Sequence, residues 1–256
     1  MDMTKNSCSR EIVVGWHDCD IKGDFRPYAF LNHTQEIAGE HANILGFGYN
    51  DLIKENHVWV LSRIMVRYLT HPGWCDRLTL KTWHKGMLSL FGLRDFVMYD
   101  ESGQRAIVAT SSWLIMNTQT RKIDRSTVFS SAAYMESTNR DNNAIEEPCG
   151  RIKRIPEMEY VRTHTVLCSD IDFLGHTNNA KYIEWITDSL GLQFLKEHRI
   201  AEFQVNFNAE TRFGDKIDIY KKETASSQTG CTLYFEGRRG EETVFESRFS
   251  FTPCLP

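Results

Sequence analysis

The chain carries one short motif twice, and each copy opens a long helical pattern. An Asp-x-Asp-x-x-Gly sequence at residues 18–23 recurs at 170–175, an offset of 152 residues. The first copy leads into an apolar helical pattern from Pro27 to about Leu45, and the second into one from Asn178 to about His198. Proline suits the first turn of a helix and asparagine suits its cap. The sequence therefore predicts two structural units of the same kind.

Alternating apolar and polar residues follow each helical pattern, which is the period of a β-strand. The clearest segments are 92–99 and 106–116 in the first unit, and 231–236 and 244–251 in the second. One long helix followed by a run of antiparallel strands predicts the α+β class and not the alternating order of a parallel sheet. The second helix is apolar on more than one face, which is typical of a helix around which a sheet curls.

The composition excludes several classes of protein. With 256 residues, 41% of them hydrophobic, the chain can bury a sizeable core, and a net charge of −4 gives no overall attraction to nucleic acid. We expect no membrane span and no targeting peptide, because no apolar run is long enough and the first residues lack the pattern of a leader. Seven cysteines without a Cys-x-x-Cys pair indicate reduced thiols and a cytoplasmic protein. No metal or cofactor signature is present.

The second copy of the motif carries side chains that suit catalysis. Asp172, Gly175 and His176 are followed at once by Asn178 and Asn179. A glycine at a helix start lets its N–H approach a ligand closely, and the helix N-terminus favours the negative charge that an oxyanion develops. A histidine that titrates near neutrality can polarise water or a carbonyl group. The alternative is structural, with the polar residues capping the helix and the imidazole buried in the core.

Glu210 is the second candidate, at the point where the strand that begins near Val205 gives way to a turn. Its carboxylate can face the helix start of its own half or of the other half, as a general base or as a support for His176. The alternative is an exposed charge at a strand end. In the first copy, Asp24 stands at the position of His176, and His71 at that of Glu210. We therefore expect chemistry in the second half only.

The chain resembles the acyl-acyl-carrier-protein thioesterase family of plant plastids and bacteria, from roughly Glu11 to Phe251. The matching stretches are residues 59–63, 71–76, 94–96 and 116–122 in the first half, and 170–172 and 176–185 in the second. The resemblance implies an α+β fold of two fused hotdog domains, each a curved antiparallel sheet wrapped around a long helix. It places an acyl-binding domain at 8–128, a linker at 129–156 and a catalytic domain at 157–256.

The family implies hydrolysis of the thioester between a fatty acyl chain and its carrier protein, which releases free fatty acid and ends chain elongation. Asp172, His176 and Glu210 match catalytic positions of the family. Its asparagine two residues after the aspartate is Leu174 here, and its cysteine after the glutamate is Thr211. A covalent cysteine mechanism is therefore not available.

We expect instead that Glu210, helped by His176, activates a water molecule. The Gly175 and His176 backbone amides would stabilise the oxyanion, and Asp172 would orient His176 or the turn. Asn178 or Asn179 would replace the missing family amide.

The acyl chain is expected between helix and sheet of the first half, along apolar residues such as Leu31, Ile64 and Val66. Arg121 and Lys122, with Arg125, are the basic residues that we expect to dock the acidic carrier protein. Two other functions stay open: an acyl-coenzyme A thioesterase of the same fold, and a catalytically silent acyl-binding protein. A homodimer also stays open, since two fused repeats already supply the pairing that single hotdog domains obtain by dimerising.

Overall fold

The computed structural model describes residues 2–124 and 132–254, and its strands form one antiparallel sheet of eleven strands. The strands are β1 (Asp2–Thr4), β2 (Ser7–Val13), β3 (His57–Tyr68), β4 (Arg77–Leu88), β5 (Phe91–Tyr99), β6 (Arg105–Asn117), β7 (Glu159–Thr165), β8 (His198–Phe207), β9 (Lys216–Ser227), β10 (Gly230–Arg239) and β11 (Glu242–Pro253). Their order across the sheet is β1-β2-β4-β5-β6-β3-β8-β11-β10-β9-β7.

The sheet is symmetric about the pair formed by β3 and β8. From this centre, β3-β6-β5-β4-β2 runs to one side and β8-β11-β10-β9-β7 to the other, so these ten strands correspond by rank, and the short β1 adds an eleventh strand beyond β2. At the join, Arg63 pairs with Asn206 and Arg67 with Glu202. The Arg67 Nε atom also donates to Glu202 Oε2 at 2.6 Å. The repeat predicted from the sequence is therefore confirmed as two halves that share one continuous sheet.

Two long helices lie against this sheet and contact each other, as the α+β hotdog prediction requires. The helices are α1 (Pro27–Ile44), α2 (Tyr49–Leu52), α3 (Ala132–Glu136), α4 (Asn179–Asp188) and α5 (Leu192–Glu197), with short 3-10 turns at Trp16–Asp18, Ile53–Glu55 and Cys168–Asp170. No helix among residues 2–124 and 132–254 is long and apolar enough to cross a membrane.

The second long helix is shorter than the sequence predicted. Its start is as expected, because the Asn178 side chain caps α4 by accepting the Ala180 N–H at 2.8 Å. The prediction that it continues to about His198 is wrong, since α4 ends at Asp188. Gly191 adopts a φ of +80° there, a conformation that a helix interior does not tolerate, and the chain resumes as the separate helix α5.

The two Asp-x-Asp-x-x-Gly turns have the same backbone geometry. Gly23 and Gly175 have φ angles of +82° and +80°, and each donates its N–H to the carbonyl of the second aspartate at 3.0 Å. The first aspartate of each motif is buried and accepts a backbone N–H, from Gly15 to Asp18 at 3.1 Å and from Leu167 to Asp170 at 2.8 Å. The aspartates and glycines of both copies therefore build the turn.

The connection between the halves is described only in part. Helix α3 lies inside the linker predicted at 129–156, close to the short helix expected near residues 132–135. Arg125 and the first residues of that linker lie outside the described residues.

Replacing either motif glycine by alanine should destabilise the protein by about 1 kcal/mol, because a side chain disfavours this left-handed conformation. A Cβ atom at Gly23 or Gly175 meets nothing within 4 Å, so backbone strain alone determines the loss of stability. The two substitutions should therefore lower the free energy of unfolding by the same amount. Urea denaturation of Gly23→Ala and Gly175→Ala measures both. Gly39→Ala is the control, since Gly39 lies inside α1 with the same open space and should gain up to about 1 kcal/mol. Unequal losses at the two turns would contradict the shared geometry.

Candidate active site

The structure brings His176 and Glu210 together within the second half. The Nε2 atom of His176 lies 3.1 Å from Glu210 Oε2, and the two side chains are 20% and 28% exposed. They are therefore shielded from bulk water yet open to a ligand. The sequence left it undecided whether Glu210 faces its own or the other half, and the structure shows that it faces its own.

Backbone and hydroxyl contacts fix this pairing. The Thr177 N–H donates to the Thr211 carbonyl at 2.9 Å, which ties the residue after His176 to the residue after Glu210. The buried Thr211 hydroxyl donates to Thr177 Oγ1 at 2.7 Å. The Tyr182 phenol must then be the donor to Thr211 Oγ1 at 2.9 Å. Thr211, which replaces the family cysteine, is thus a structural residue beneath the site.

Two arginines surround the histidine–glutamate pair. The Arg121 guanidinium forms an ion pair with Glu210 Oε2, the same oxygen that His176 approaches. Arg212 Nη2 lies 3.3 Å from His176 Nε2. The guanidinium can only donate to Nε2 and the Glu210 carboxylate can only accept from it, so the tautomer of His176 decides which of the two contacts is a hydrogen bond.

The same surroundings keep the imidazole neutral. Burial lowers the pKa of His176 below its ordinary value, and the positive charges of Arg121 and Arg212 lower it further. The Asp172 carboxylate opposes this shift and is outweighed. His176 is therefore a neutral imidazole at neutral pH, with one bare ring nitrogen that can accept a proton.

The structure places Arg121, which the sequence predicted as a docking residue for the carrier, against Glu210. Arg121 follows β6 in a tight turn, with a φ of +58° and its N–H donated to the Asn117 carbonyl at 2.9 Å. This turn directs the side chain from the first half to Glu210 of the second. Its neighbour Lys122 is exposed. The sequence could not show this contact, because it joins residues 89 positions apart in different halves.

The backbone amides expected to form the oxyanion hole are already in use. The Gly175 N–H donates to the Asp172 carbonyl at 3.0 Å, and the His176 N–H faces Asp172 Oδ1 at 3.5 Å. The same carboxylate oxygen accepts the Leu174 N–H at 2.9 Å. Asp172 therefore orders the turn and does not hold the imidazole, and a substrate oxygen needs another donor.

Of the two asparagines, Asn179 is the better placed to donate a hydrogen bond to a substrate. Asn178 Oδ1 caps α4 and lies 3.5 Å from Gln35 Nε2, so that side chain is occupied. Asn179 opens α4, and within the described part of the chain neither its N–H nor its side-chain amide donates a hydrogen bond. Both groups are free to donate to a ligand at this helix start.

A cavity of about 1010 Å³ extends from this pair into the first half. His176, Glu210, Asp172 and Asn178 line one end of it. Beneath α1 its wall contains Ala38, Ala42, Leu61, Gly92, Arg94 and Trp113. A second cavity of about 470 Å³ lies beside the first. Arg121, Asn179 and Glu210 line both, so the reactive groups stand where the two cavities meet.

The residues predicted to line an acyl site do not line either cavity. Leu31, Ile64 and Val66 are 0%, 1% and 0% exposed and belong to the main apolar core. The cavity instead follows smaller residues, Ala38, Ala42 and Gly92, which leave space between α1 and the sheet. The alternation of apolar and polar residues identified correctly which side chains point inward. It cannot show which of these side chains pack against each other and which border a cavity.

The corresponding site in the first half is closed by an ion pair. Arg199 donates from Nε and Nη2 to the two oxygens of Asp24, at 2.7 and 3.2 Å. His71 Nε2 lies 3.0 Å from the Ile200 carbonyl. The two positions that would be catalytic are thus occupied by contacts with β8, which agrees with chemistry in the second half only.

Arg212 is the residue of the site that the sequence did not single out. Arg212 lies two positions after Glu210. Side chains at i and i+2 of an extended segment share a face, so this spacing could have indicated that Arg212 lies beside Glu210. Among the described residues, no group of three or more His, Cys, Asp or Glu side chains is placed to hold a metal ion.

Two family models match the chain in succession. The model of the acyl-ACP thioesterase N-terminal domain matches residues 5–128, and that of the acyl-ACP thioesterase C-terminal domain matches 154–251. Among curated proteins, an oleoyl-acyl carrier protein thioesterase of Coriandrum sativum is 24% identical over 246 residues, or 88% of this chain. The chain spans only 65% of that relative and 62% of an Arabidopsis thaliana one.

Solved structures agree. An acyl-ACP thioesterase from Bacteroides thetaiotaomicron superposes with a TM-score of 0.86 at 28% identity, over 97% of this chain and 100% of that one. A 12:0-ACP thioesterase from Umbellularia californica has the same fold, with a TM-score of 0.87 at 21% identity over 97% of this chain and 94% of that one. With both halves matched in order, the chain belongs to the acyl-ACP thioesterase family.

Proposed function

We propose that the chain hydrolyses the thioester of fatty acyl-carrier protein and releases free fatty acid, with Glu210 as the general base. The observation that carries the proposal is the 3.1 Å approach of His176 to Glu210 at the meeting point of two cavities. The names of the related proteins, oleoyl-acyl carrier protein thioesterase among them, support the same substrate class.

The reaction needs no covalent intermediate. Among the described residues Glu210 Oε1 has no partner, since Arg121 and His176 both meet Oε2, so Oε1 can accept a proton from water. As that proton moves to Glu210, the water oxygen bonds to the thioester carbon and the carbonyl oxygen becomes an oxyanion. The carbon–sulfur bond then breaks, and the proton passes to the leaving thiolate directly or through His176 Nε2. The products are a carboxylic acid and a thiol.

Asn179 is the proposed donor to the oxyanion, in place of the amides of Gly175 and His176. Its side chain lines both cavities at the start of α4, where the helix dipole also favours negative charge. Asn179 would then take the part of the amide that Leu174 cannot supply. Asp172 and Asn178 hold the turn and the cap that position it.

The two cavities suit the two parts of a thioester substrate. A thioester carries an acyl chain on one side and the thiol arm of its carrier on the other, and both must leave the reactive carbon. We assign the larger cavity, which runs into the first half, to the acyl chain, and the smaller one to the arm. The domain at 8–128 would thus bind the chain, and the domain at 157–256 would supply the chemistry. The seven unpaired cysteines favour a reducing compartment such as the cytoplasm.

Glu210→Gln should lower kcat by roughly 100- to 10,000-fold, the usual contribution of a general base, with little change in KM. His176→Ala should also lower kcat. The measurement is thiol release from purified acyl-carrier protein, with circular dichroism as a check on folding. Near wild-type turnover by both folded variants would contradict the mechanism. Acyl binding without any hydrolysis by the wild type would favour the silent binding protein.

Removing a nearby cation should raise the pKa of His176. In Arg212→Gln the imidazole loses one of the charges that lower its pKa, so it becomes protonated at higher pH. Because the neutral form is the active one, the acidic limb of kcat/KM should move to higher pH in this variant. Imidazole NMR titration measures the pKa directly and separates it from the titration of Glu210. An unchanged or lower pKa would contradict the electrostatic account.

Arg121 and Lys122 are adjacent, yet their substitutions should act differently. Arg121→Gln removes the cation from Glu210 and should lower kcat on acyl-carrier protein and acyl-coenzyme A alike. Lys122→Gln removes an exposed charge and should raise KM for the acidic carrier by about two- to fivefold, with a loss that fades in high salt. Steady-state kinetics on both substrates makes the comparison. Faster turnover of free acyl-coenzyme A than of acyl-carrier protein by the wild type would favour the coenzyme A thioesterase.

A further inference from the structure

Exposed apolar side chains surround the larger cavity where it opens to solvent. Four residues that line this cavity, here called the apolar lip, keep a large part of their surface in water: Phe173 at 82%, Leu174 at 38%, Tyr49 at 37% and Ile53 at 36%. Two of them belong to α2 and the residue after it, and the other two belong to the turn between Asp172 and His176. Exposed apolar surface beside a cavity is typical of a groove that receives an apolar ligand.

One ring contact joins the two sides of the apolar lip. The Phe173 and Tyr49 rings meet edge to face, with centroids 5.4 Å apart and planes at 87°. Within the described residues, no hydrogen bond joins residue 173 or 174 to the first half. Buried Leu52 anchors α2, and Asp172 holds the turn. Both backbones are therefore fixed, and the exposed Phe173 side chain is the part that can change rotamer.

The first half carries the same turn in a locked form. At the offset of 152 residues, Lys22 stands at the position of Leu174. The Lys22 ammonium donates to the Leu195 carbonyl of the second half at 2.6 Å. Arg199, also of the second half, holds Asp24 of this turn through two hydrogen bonds. Charged contacts thus fix this turn to the opposite half, whereas the turn of the second half meets the opposite half through an exposed ring contact.

Resting on the proposed thioesterase function, we propose that the acyl chain enters and leaves the larger cavity sideways, through the apolar lip, with the Phe173 side chain as its door. A chain threaded tail first from the smaller cavity would pass the polar groups that line both cavities, which are Arg121, Asn179, Glu210 and Arg212. Stripping water from charged groups is costly, and the apolar lip carries no charge. When Phe173 swings away from Tyr49, the chain can slide in along its length.

The kinetics of fatty acid binding distinguish a door from a binding contact. Phe173→Ala removes the door, so the association and dissociation rate constants should both rise by about two- to tenfold, the worth of an aromatic contact, with little change in Kd. Dodecanoic acid is the ligand, and stopped-flow fluorescence of Trp59 and Trp113, which line the cavity, is the measurement. Leu69→Ala, at an exposed position outside both cavities, is the control and should change neither constant. A rise in dissociation alone would overturn the door.

A reversible bridge across the apolar lip tests the route itself. A variant with both Tyr49→Cys and Phe173→Cys is cross-linked by a reducible bis-methanethiosulfonate after dodecanoic acid has bound. The fatty acid should then stay bound through gel filtration and leave when dithiothreitol is added. Cross-linking should also lower turnover of acyl-carrier protein by about tenfold or more, as expected for a blocked entrance. Methyl methanethiosulfonate, which modifies the same thiols without bridging them, should do neither.

Matched controls separate the route from the activity. Lys22→Cys with Leu195→Cys bridges the locked turn of the first half, where cross-linking should affect neither release nor turnover. Wild type treated with the same reagent accounts for the exposed Cys75 and Cys168. Undiminished hydrolysis and release after bridging residues 49 and 173 would overturn the route and leave the proposed function intact. No hydrolysis by the wild type would contradict that function. If the double variant does not fold, the rate constants of Phe173→Ala decide.

Discussion

The hydrogen bond from the Thr177 N–H to the Thr211 carbonyl is the contact on which the site depends. It joins the helix-start turn to the segment after β8, and each partner directly follows a reactive residue. The hydroxyl chain from Tyr182 through Thr211 to Thr177 anchors the same point in the core. Because these contacts are buried, His176 and Glu210 are held together by backbone and core, and their own side chains stay available to a substrate.

The first half has the same backbone contact but lacks the histidine and glutamate side chains. Its equivalent bond runs from the Phe25 N–H to the Pro72 carbonyl at 2.7 Å, so the backbone arrangement is the same. There Asp24 is paired with Arg199, an arginine of the second half. The turn therefore joins helix and strand in both halves, and the two copies differ in the side chains that they present. A shared backbone explains why one motif predicts both the fold and a candidate site.

The sequence predicted what depends on local pattern. The turns, the helix cap and the strand positions follow from residues close in sequence or related by the repeat, whereas the sequence left open which half Glu210 faces. The contact of Arg121 with Glu210 was not predicted, because it joins residues of different halves. The residues that line the cavity were not predicted either, since Leu31 and Ala38 both face inward on α1 and only packing decides which one borders a gap.

The two halves are one functional unit, although separate family models match them. Arg121 of the first half meets the carboxylate of Glu210, and most of the larger cavity lies between α1 and first-half strands. The sheet continues from one half to the other through the pairing of β3 with β8. An isolated second half would expose that central strand edge and lose a cation beside its base. The two halves therefore share one sheet, and both contribute residues to the candidate site.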